Sequence, residues 1–432
     1  MTDKIAILKK YNFWDGQMPD LGFIREKYLE NISHYLGNRL IKVVVGQRRV
    51  GKSYILRQII KKLIDEGVDT VNVFYLNKEY TSFDFVAHFT DLEMLVNEYR
   101  DVMKPRGKIY LFLDEIQNVE GWERLVNSYS QTYTDDFELF ISGSNSHFLS
   151  GELASLLSGR YIQFEVFPFN FQEFVKLSNL ENSRDSFLKY MQSGGLPDLF
   201  RLPDDEAKRH YLSAVKDTVL LRDIIQRYNI KDARLLEDLF AFLVNNVSNM
   251  ISITSIVNYF NGKQRKTNYE TLSNYIEHIR STFLIHQAVR YHIKGKEILS
   301  GNCKYYINDL SFINFLYPAF EHGYGYMLEN LVYLQLAYSG YKVYVGHMRG
   351  KEIDFVAMKN DRVVYLQVTY LLTDQSTIER EYSPLESIPD NYEKFVVSLD
   401  DLALPNRRGI KHVLAWQLDE VLLPTKKIST LM

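Results

Sequence analysis

The chain has a single cysteine, Cys303, which rules out an intrachain disulfide and a cysteine-based zinc site. That usage fits a reducing compartment, and Cys303 is expected to be a small buried apolar residue. No apolar run approaches the ~18 residues that a membrane-spanning helix needs. The opening MTDKIAILKKYNF lacks the layout of a signal peptide, so a cytoplasmic protein without a membrane partner is expected. An excess of one charge is also missing. Lys and Arg number 51 against 54 Asp and Glu, a net charge of −3, so any contact with nucleic acid must come from a local basic face. What is present is core material. With 46% hydrophobic and 24% charged residues over 432 positions, the chain reads as globular throughout, with roughly two to four domains. The 31 Tyr and 26 Phe are attributed to packing rather than to base stacking.

The stretch that organises the rest is Ile41–Ser53, IKVVVGQRRVGKS. Ile41, Val43, Val44 and Val45 read as a short strand. Gly46 opens a turn, and Gly51-Lys52-Ser53 follows four spacers. This is the complete G-x-x-x-x-G-K-S pattern in its strand–turn–helix context. The glycines allow a tight turn whose N–H groups point inward as an anion-binding nest. Gly46, Gln47, Arg48, Arg49, Val50, Gly51, Lys52, Ser53 and the adjoining Tyr54 are therefore the expected ATP-binding segment. Lys52 is expected on the β- and γ-phosphates, and the Ser53 hydroxyl on Mg²⁺. The helix Tyr54–Gly67 adds its dipole, and its Ile55, Leu56, Ile59, Ile60, Leu63 and Ile64 form one apolar stripe.

Further strands are expected at Thr70–Leu76, Lys108–Glu115, Phe137–Ser142 and Tyr161–Val166, alternating with helices in a parallel α/β sheet. KIYLFLDE is apolar on both faces and ends in two acids, at the end of a parallel strand where ligands bind. Asp114 is the expected Mg²⁺ ligand, through water, and Glu115 the general base for the attacking water. The plainer alternative is a surface acidic pair. After the fourth strand, Ser144 and Asn145 are both candidates to bond the γ-phosphate or the lytic water, or simply form a turn. Arg160, before the fifth strand, is a candidate to stabilise charge on the transferred phosphoryl group, in cis or across a subunit interface. A salt-bridged surface arginine is the alternative.

Residues 1–39 and Phe169–Tyr190 read as helical, and Gly194-Gly195-Leu196-Pro197 breaks the pattern. From 231 to 312, three helices and a hairpin across Lys294-Gly295-Lys296 describe a winged helix-turn-helix. Lys263, Arg265, Lys266, His292, Lys294 and Lys296 give it a local basic face for phosphate backbone, unless the module only packs or binds protein. In the last ~110 residues, Glu329 on a helix, Asp354 on a strand and Gln367-x-Thr369 on another resemble the E…D…(E/Q)-x-K set of restriction-endonuclease-like folds. There the acids hold Mg²⁺ and the lysine orients water. Thr369 stands at the lysine position and cannot supply that charge, so the site reads as degenerate.

Taken in order, GQRRVGKS, LFLDE, SGSN, SGRY…FPFNFQEF, GGLPDLF, DTVLLRDI, LENLVYLQLAYSGYKVYV and GKEIDFV resemble a family of prokaryotic AAA-type ATPases. These carry a C-terminal domain of unknown function with an endonuclease-like fold. The resemblance implies a multidomain α/β protein. A P-loop core at 1–175 would be followed by a helical lid at 176–230, a winged helix at 231–312 and a degenerate endonuclease-like domain at 313–432. It implies the loop, metal and base assignments above, and a phosphate-sensing role for Arg160. The expected function is an Mg²⁺-dependent ATPase switching a protein partner or DNA, with oligomerisation open. The alternatives are an ATP-regulated DNA scaffold and a nuclease using Glu329, Asp354 and Gln367.

Overall fold

Five short runs, IKVVV, VFYLN, IYLFLD, FELFISG and YIQFE, lie side by side because most of their residues cannot face water on either side. The computed structural model describes residues 3–132, 136–146, 157, 159–318 and 323–422. They fall into two units, Met1–Val166 with Ser281–Phe283, and Phe167–Arg280 with Leu284–Met432.

In the first unit the described elements are α1 (Asp3–Lys9), α2 (Glu26–Ser33), β1 (Ile41–Val45), α3 (Lys52–Asp65), β2 (Val73–Asn77), α4 (Phe89–Met103), β3 (Ile109–Asp114), α5 (Trp122–Gln131), β4 (Phe137–Gly143) and β5 (Tyr161–Glu165). The strands pair in the order β2-β3-β4-β1-β5, all parallel. The carboxyl ends of β1, β3 and β4 share one edge. Helix α3 buries Ile55, Leu56, Ile59, Ile60 and Leu63, and ends where Gly67, at φ 98°, lets Val68 N–H reach back to Leu63 O. The second strand begins later than its apolar run because Asp69 accepts from Val71 N–H and winds Thr70–Asn72 into a 3₁₀ turn. Among its described residues the N-terminal segment holds two short helices, with Gly16 and Gly22 at positive φ between them.

The second unit contains α6 (Phe171–Ser178), α7 (Arg184–Ser193), α8 (Asp205–Thr218), α9 (Ala233–Asn245), β6 (Met250–Ile251), α10 (Ile253–Gly262), α11 (Tyr269–Ser281), the hairpin β7 (Ile285–His292) and β8 (Glu297–Ile307), α12 (Tyr324–Tyr338), β9 (Lys342–Met348), β10 (Lys351–Lys359), β11 (Arg362–Val368), α13 (Gln375–Glu386), β12 (Glu393–Ser398), β13 (Ile410–Leu414) and α14 (Leu418–Leu422). The expected helix over Phe169–Tyr190 is two, because Asn179 turns left-handed at φ 52°. The expected boundary at 312 is not a structural one. Strand β7 pairs with β8 on one edge and with β9 on the other, so one eight-stranded sheet runs β13-β12-β11-β10-β9-β7-β8-β6. Among the described residues, no helix is long and apolar enough to cross a membrane.

The GGLP break is a packing device. Gly195 N–H donates to Asp309 Oδ2 at 2.7 Å, Ser311 N–H donates to Asp309 Oδ1 at 2.9 Å, and the Asp309 side chain is buried. A Cβ on Gly195 would lie 2.1 Å from Phe169 O, a backbone atom that cannot swing away. Gly195→Ala is therefore expected to destabilise the second unit by about 1–3 kcal/mol in urea unfolding.

Candidate functional site

The loop joining β1 to α3 leaves the carboxyl end of β1. Three of its residues, Gly46 (φ 147°), Arg49 (φ 71°) and Gly51 (φ 96°), have positive φ and curl it. A Cβ on Gly46 would stand 2.4 Å from Val166 O, so only glycine fits there. Lys52 is 4% exposed. Its Nζ donates to Gly46 O at 3.0 Å and Gln47 O at 3.2 Å, and lies 3.3 Å from Glu115 Oε1. Burial alone would raise the Glu115 carboxyl. Lys52, and then Arg48, more than cancel this and hold it below the ordinary carboxylate value, so it is ionised at neutral pH.

Asp114 ends β3, fully buried. Its Oδ2 accepts from Tyr75 OH at 2.8 Å and Asn77 Nδ2 at 2.9 Å, its Oδ1 accepts from Ser142 Oγ, and Ser53 also bonds it. Burial, then the Glu115 charge, raise its pKa. Ser142 Oγ accepts from Glu115 N–H at 3.0 Å, so it orients both acids. The Ser144 hydroxyl takes Gln117 Nε2 at 3.4 Å, and Gln117 Nε2 also donates to Glu115 Oε2. The loop thus joins a lysine, a hydroxyl and two acids in one buried network. That donor set fits a nucleotide polyphosphate with a hard divalent cation.

Other expected loop residues support the turn. Arg48 pairs with Glu79 at 2.6 Å, Val50 is fully buried, and the Tyr54 ring packs against Gly22. Asn145 Nδ2 donates to Ser281 Oγ at 3.3 Å. Sequence reasoning missed Tyr75, Asn77 and Ser142, which hold the acids from the neighbouring strands. For Asn77 and Ser142 the signal was a polar residue near the end of an apolar strand; Tyr75, in mid-strand, gave none. It also missed Arg25, which is buried, donates to Val50 O at 3.4 Å and lies over the Tyr28 ring.

A family model described as an AAA domain matches residues 38–175, and one for a domain of unknown function matches 184–322. An uncharacterized protein of Haemophilus influenzae is 34% identical over 378 residues, 87% of this chain and 92% of that protein. One of Methanocaldococcus jannaschii is 30% identical over 381 residues, 85% of this chain and 80% of that protein. The chain belongs to the family of these proteins. Its first unit carries an AAA-type P-loop ATPase domain. Among solved structures, the RuvB Holliday junction branch migration motor of Thermotoga maritima aligns over 61% of this chain and 89% of that one, at 16% identity and a TM-score of 0.33, too loose a match to bear on function.

Within the AAA domain, Arg160 is not at this site. It precedes β5, its carbonyl accepts from Ile41 N–H at 2.9 Å, and its Nη1 donates to Asn127 Oδ1 at 3.3 Å. β5 runs parallel to β1 with Tyr161 beside Ile41, so Arg160 starts at the edge opposite the loop. Five residues of strand, at about 3.3 Å each, separate them. Of the two expected routes, in cis or across a subunit interface, this strand pairing disfavours the first.

In the second unit, Arg265 is held by Asp238 and, at 3.7 Å, by Asp232, so it is not free for phosphate. Lys263, Lys266, Lys294 and Lys296 are exposed, and His292 lies 3.9 Å from Glu297. Glu329 and Asp354 come together as expected, and Gln367 Oε1 accepts from Asp354 N–H at 3.4 Å. A fourth residue was not foreseen. Lys304 of β8, 4% exposed, puts its Nζ 2.9 Å from Glu329 Oε1, 2.8 Å from Glu352 Oε1 and 3.6 Å from Asp354 Oδ1. Burial opposes its charge, but the three carboxylates outweigh that and hold it protonated. Burial pushes Glu329 up to about 8 and Asp354 up to about 6, against Lys304. Lys304 and Tyr306 both donate to Glu329 Oε1, at 2.9 and 2.8 Å. The ammonium occupies the middle of the acid cluster.

Proposed function

We propose that the first unit binds ATP with Mg²⁺ at Gly46–Ser53, hydrolyses it, and acts as a switch on a partner. The observation that carries this is the buried network of Lys52, Ser53, Asp114 and Glu115 at the carboxyl edge of the parallel sheet. Lys52 would neutralise phosphate charge, and Ser53 and Asp114 would hold the Mg²⁺, which supplies Lewis-acid polarisation of the phosphates when bound. Glu115, ionised and beside Gln117, would take the proton of the attacking water. Ser144 is one bond from Gln117 and would help place that water. Arg160 would reach a nucleotide only on a neighbouring copy, which favours an oligomeric active form. Lys52→Ala is expected to weaken nucleotide binding by at least about 100-fold in calorimetry, because the remaining carbonyl and carboxylate oxygens repel phosphate. Unchanged binding would overturn the proposal.

For the second unit we propose a winged helix of α9, α10, α11 and the β7–β8 hairpin, fused to an endonuclease-like sheet that cuts nothing. The exposed Lys263, Lys266, Lys294 and Lys296 support contact with DNA phosphates, a reading tested by the slope of log affinity against log salt.

A further inference from the structure

Beyond the nucleotide loop, the first unit has a cavity of about 270 Å³, with Lys10, Tyr11, Asp15, Arg57, Tyr75 and Tyr80 in its wall. Arg57 stands one helical turn after Ser53, on the same face of α3. It is half-buried, and its Nη2 donates to the Tyr80 hydroxyl at 3.2 Å. Among the described residues no carboxylate lies within 4.0 Å of it; its neighbours here are phenols. The nearest acid acting on it is Asp114, through Tyr75, whose hydroxyl bonds Asp114 Oδ2 at 2.8 Å. Lys10 adds a second cation to the wall. Asp15 opposes it, but is exposed and accepts from Gln17 N–H at 3.2 Å. A partly desolvated guanidinium without a carboxylate, facing an open cavity with a lysine and phenol hydroxyls, is a site for an anion from solution.

We propose that this cavity binds a small oxyanion, a phosphate or carboxylate group, between Arg57 and Lys10, and that its occupancy strengthens divalent-cation binding at Asp114. The coupling rests on the ATP reading; the anion site does not. Its sign follows from charge. Arg57 disfavours a divalent cation at Asp114, and an anion on Arg57 cancels that effect. By linkage a divalent cation at Asp114 must tighten the anion in return.

The test uses full-length Lys52→Ala protein, whose nucleotide loop is disabled, titrated calorimetrically with inorganic phosphate and, separately, with succinate. One-to-one binding of at least one is expected, lost by at least about 10-fold on adding Arg57→Gln, reduced less by Lys10→Ala, and largely retained by Arg57→Lys. Binding of phosphate alone assigns a phosphoryl ligand, and binding of both assigns any oxyanion. Binding of neither, or equal binding by the Arg57→Gln protein with an unchanged melting temperature, overturns the site. In wild type, the anion that binds is expected to lower the Mg²⁺ concentration that half-saturates the ADP-bound protein by about 5-fold or more, with no change in Arg57→Gln. ADP binding without that shift overturns the coupling. No ADP binding at all overturns the ATP reading and leaves the anion result standing.

Discussion

Replacing Glu115 by Gln is expected to leave ATP affinity within a few-fold of wild type and to slow hydrolysis by about 10²–10⁴-fold. The substitution preserves shape. Glutamine can still meet Gln117 and Lys52, and the backbone stays anchored by the Glu115 N–H on Ser142 Oγ. What it removes is the carboxylate that Lys52 and Arg48 hold below its ordinary value, whereas burial pushes Asp114 the other way. Equilibrium binding of a fluorescent nucleotide and single-turnover phosphate release separate the two effects. Equal turnover in both proteins would reject Glu115 as the base. The pH profile gives a second check. Because Lys52 and Arg48 hold Glu115 below its ordinary value of 4.5, the acid limb of kcat/KM is expected below that pH.

The largest effect on stability is expected at Lys304. Lys304→Ala leaves Glu329 and Asp354, both buried, without their cation, and should cost the second unit about 3–5 kcal/mol. The loss should grow with pH. Glu329 and Asp354 titrate at about 8 and about 6 in the folded chain, above their ordinary values of 4.5 and 3.8, and losing Lys304 raises them further. A raised folded pKa favours folding at low pH, and that contribution disappears as pH rises through it. Urea unfolding at pH 5 and pH 8 should therefore show a smaller penalty at pH 5. The triple variant Lys304→Met, Glu329→Gln, Asp354→Asn should recover most of the loss, because it removes the buried charges together. A single Lys304→Ala variant as stable as wild type at pH 8 would mean that the ammonium is not the cluster's counter-charge. The same geometry bears on nuclease chemistry. A divalent cation would have to displace an ammonium tethered to β8, and among the described residues no group of three or more His, Cys, Asp or Glu is placed to hold a metal. Wild type is expected to leave plasmid intact with Mg²⁺ or Mn²⁺, and cleavage abolished by Asp354→Ala would reverse this.

Local chemistry made much of this legible from residue order. A run such as IYLFLD can only be a doubly buried strand, and the spacing of Gly46, Gly51, Lys52 and Ser53 can be satisfied by one loop. The hairpin around Lys294-Gly295-Lys296 was equally local, with turn residues between two apolar runs. Other features could not be read this way, because they depend on which strand lies beside which. Arg160 is near the P-loop in sequence order of motifs, yet parallel pairing with β1 puts it at the opposite edge. Lys304 looked like one more hairpin lysine. The pairing of β7 with both β8 and β9 brings it into a cluster whose other members are 25 to 50 residues on.

Residue order by itself determined that the first unit is a parallel sheet with a phosphate-type loop, because a strand, a glycine turn and a helix start are short-range structures set by their own side chains. Only the tertiary structure decided how charges are shared: that Ser142 and Tyr75 clamp the acid pair, that Arg57 faces a cavity with phenols rather than a carboxylate beside it, and that a lysine fills the second unit's acid cluster. Coulomb energy depends on distance and burial, and neither is a property of position along the chain.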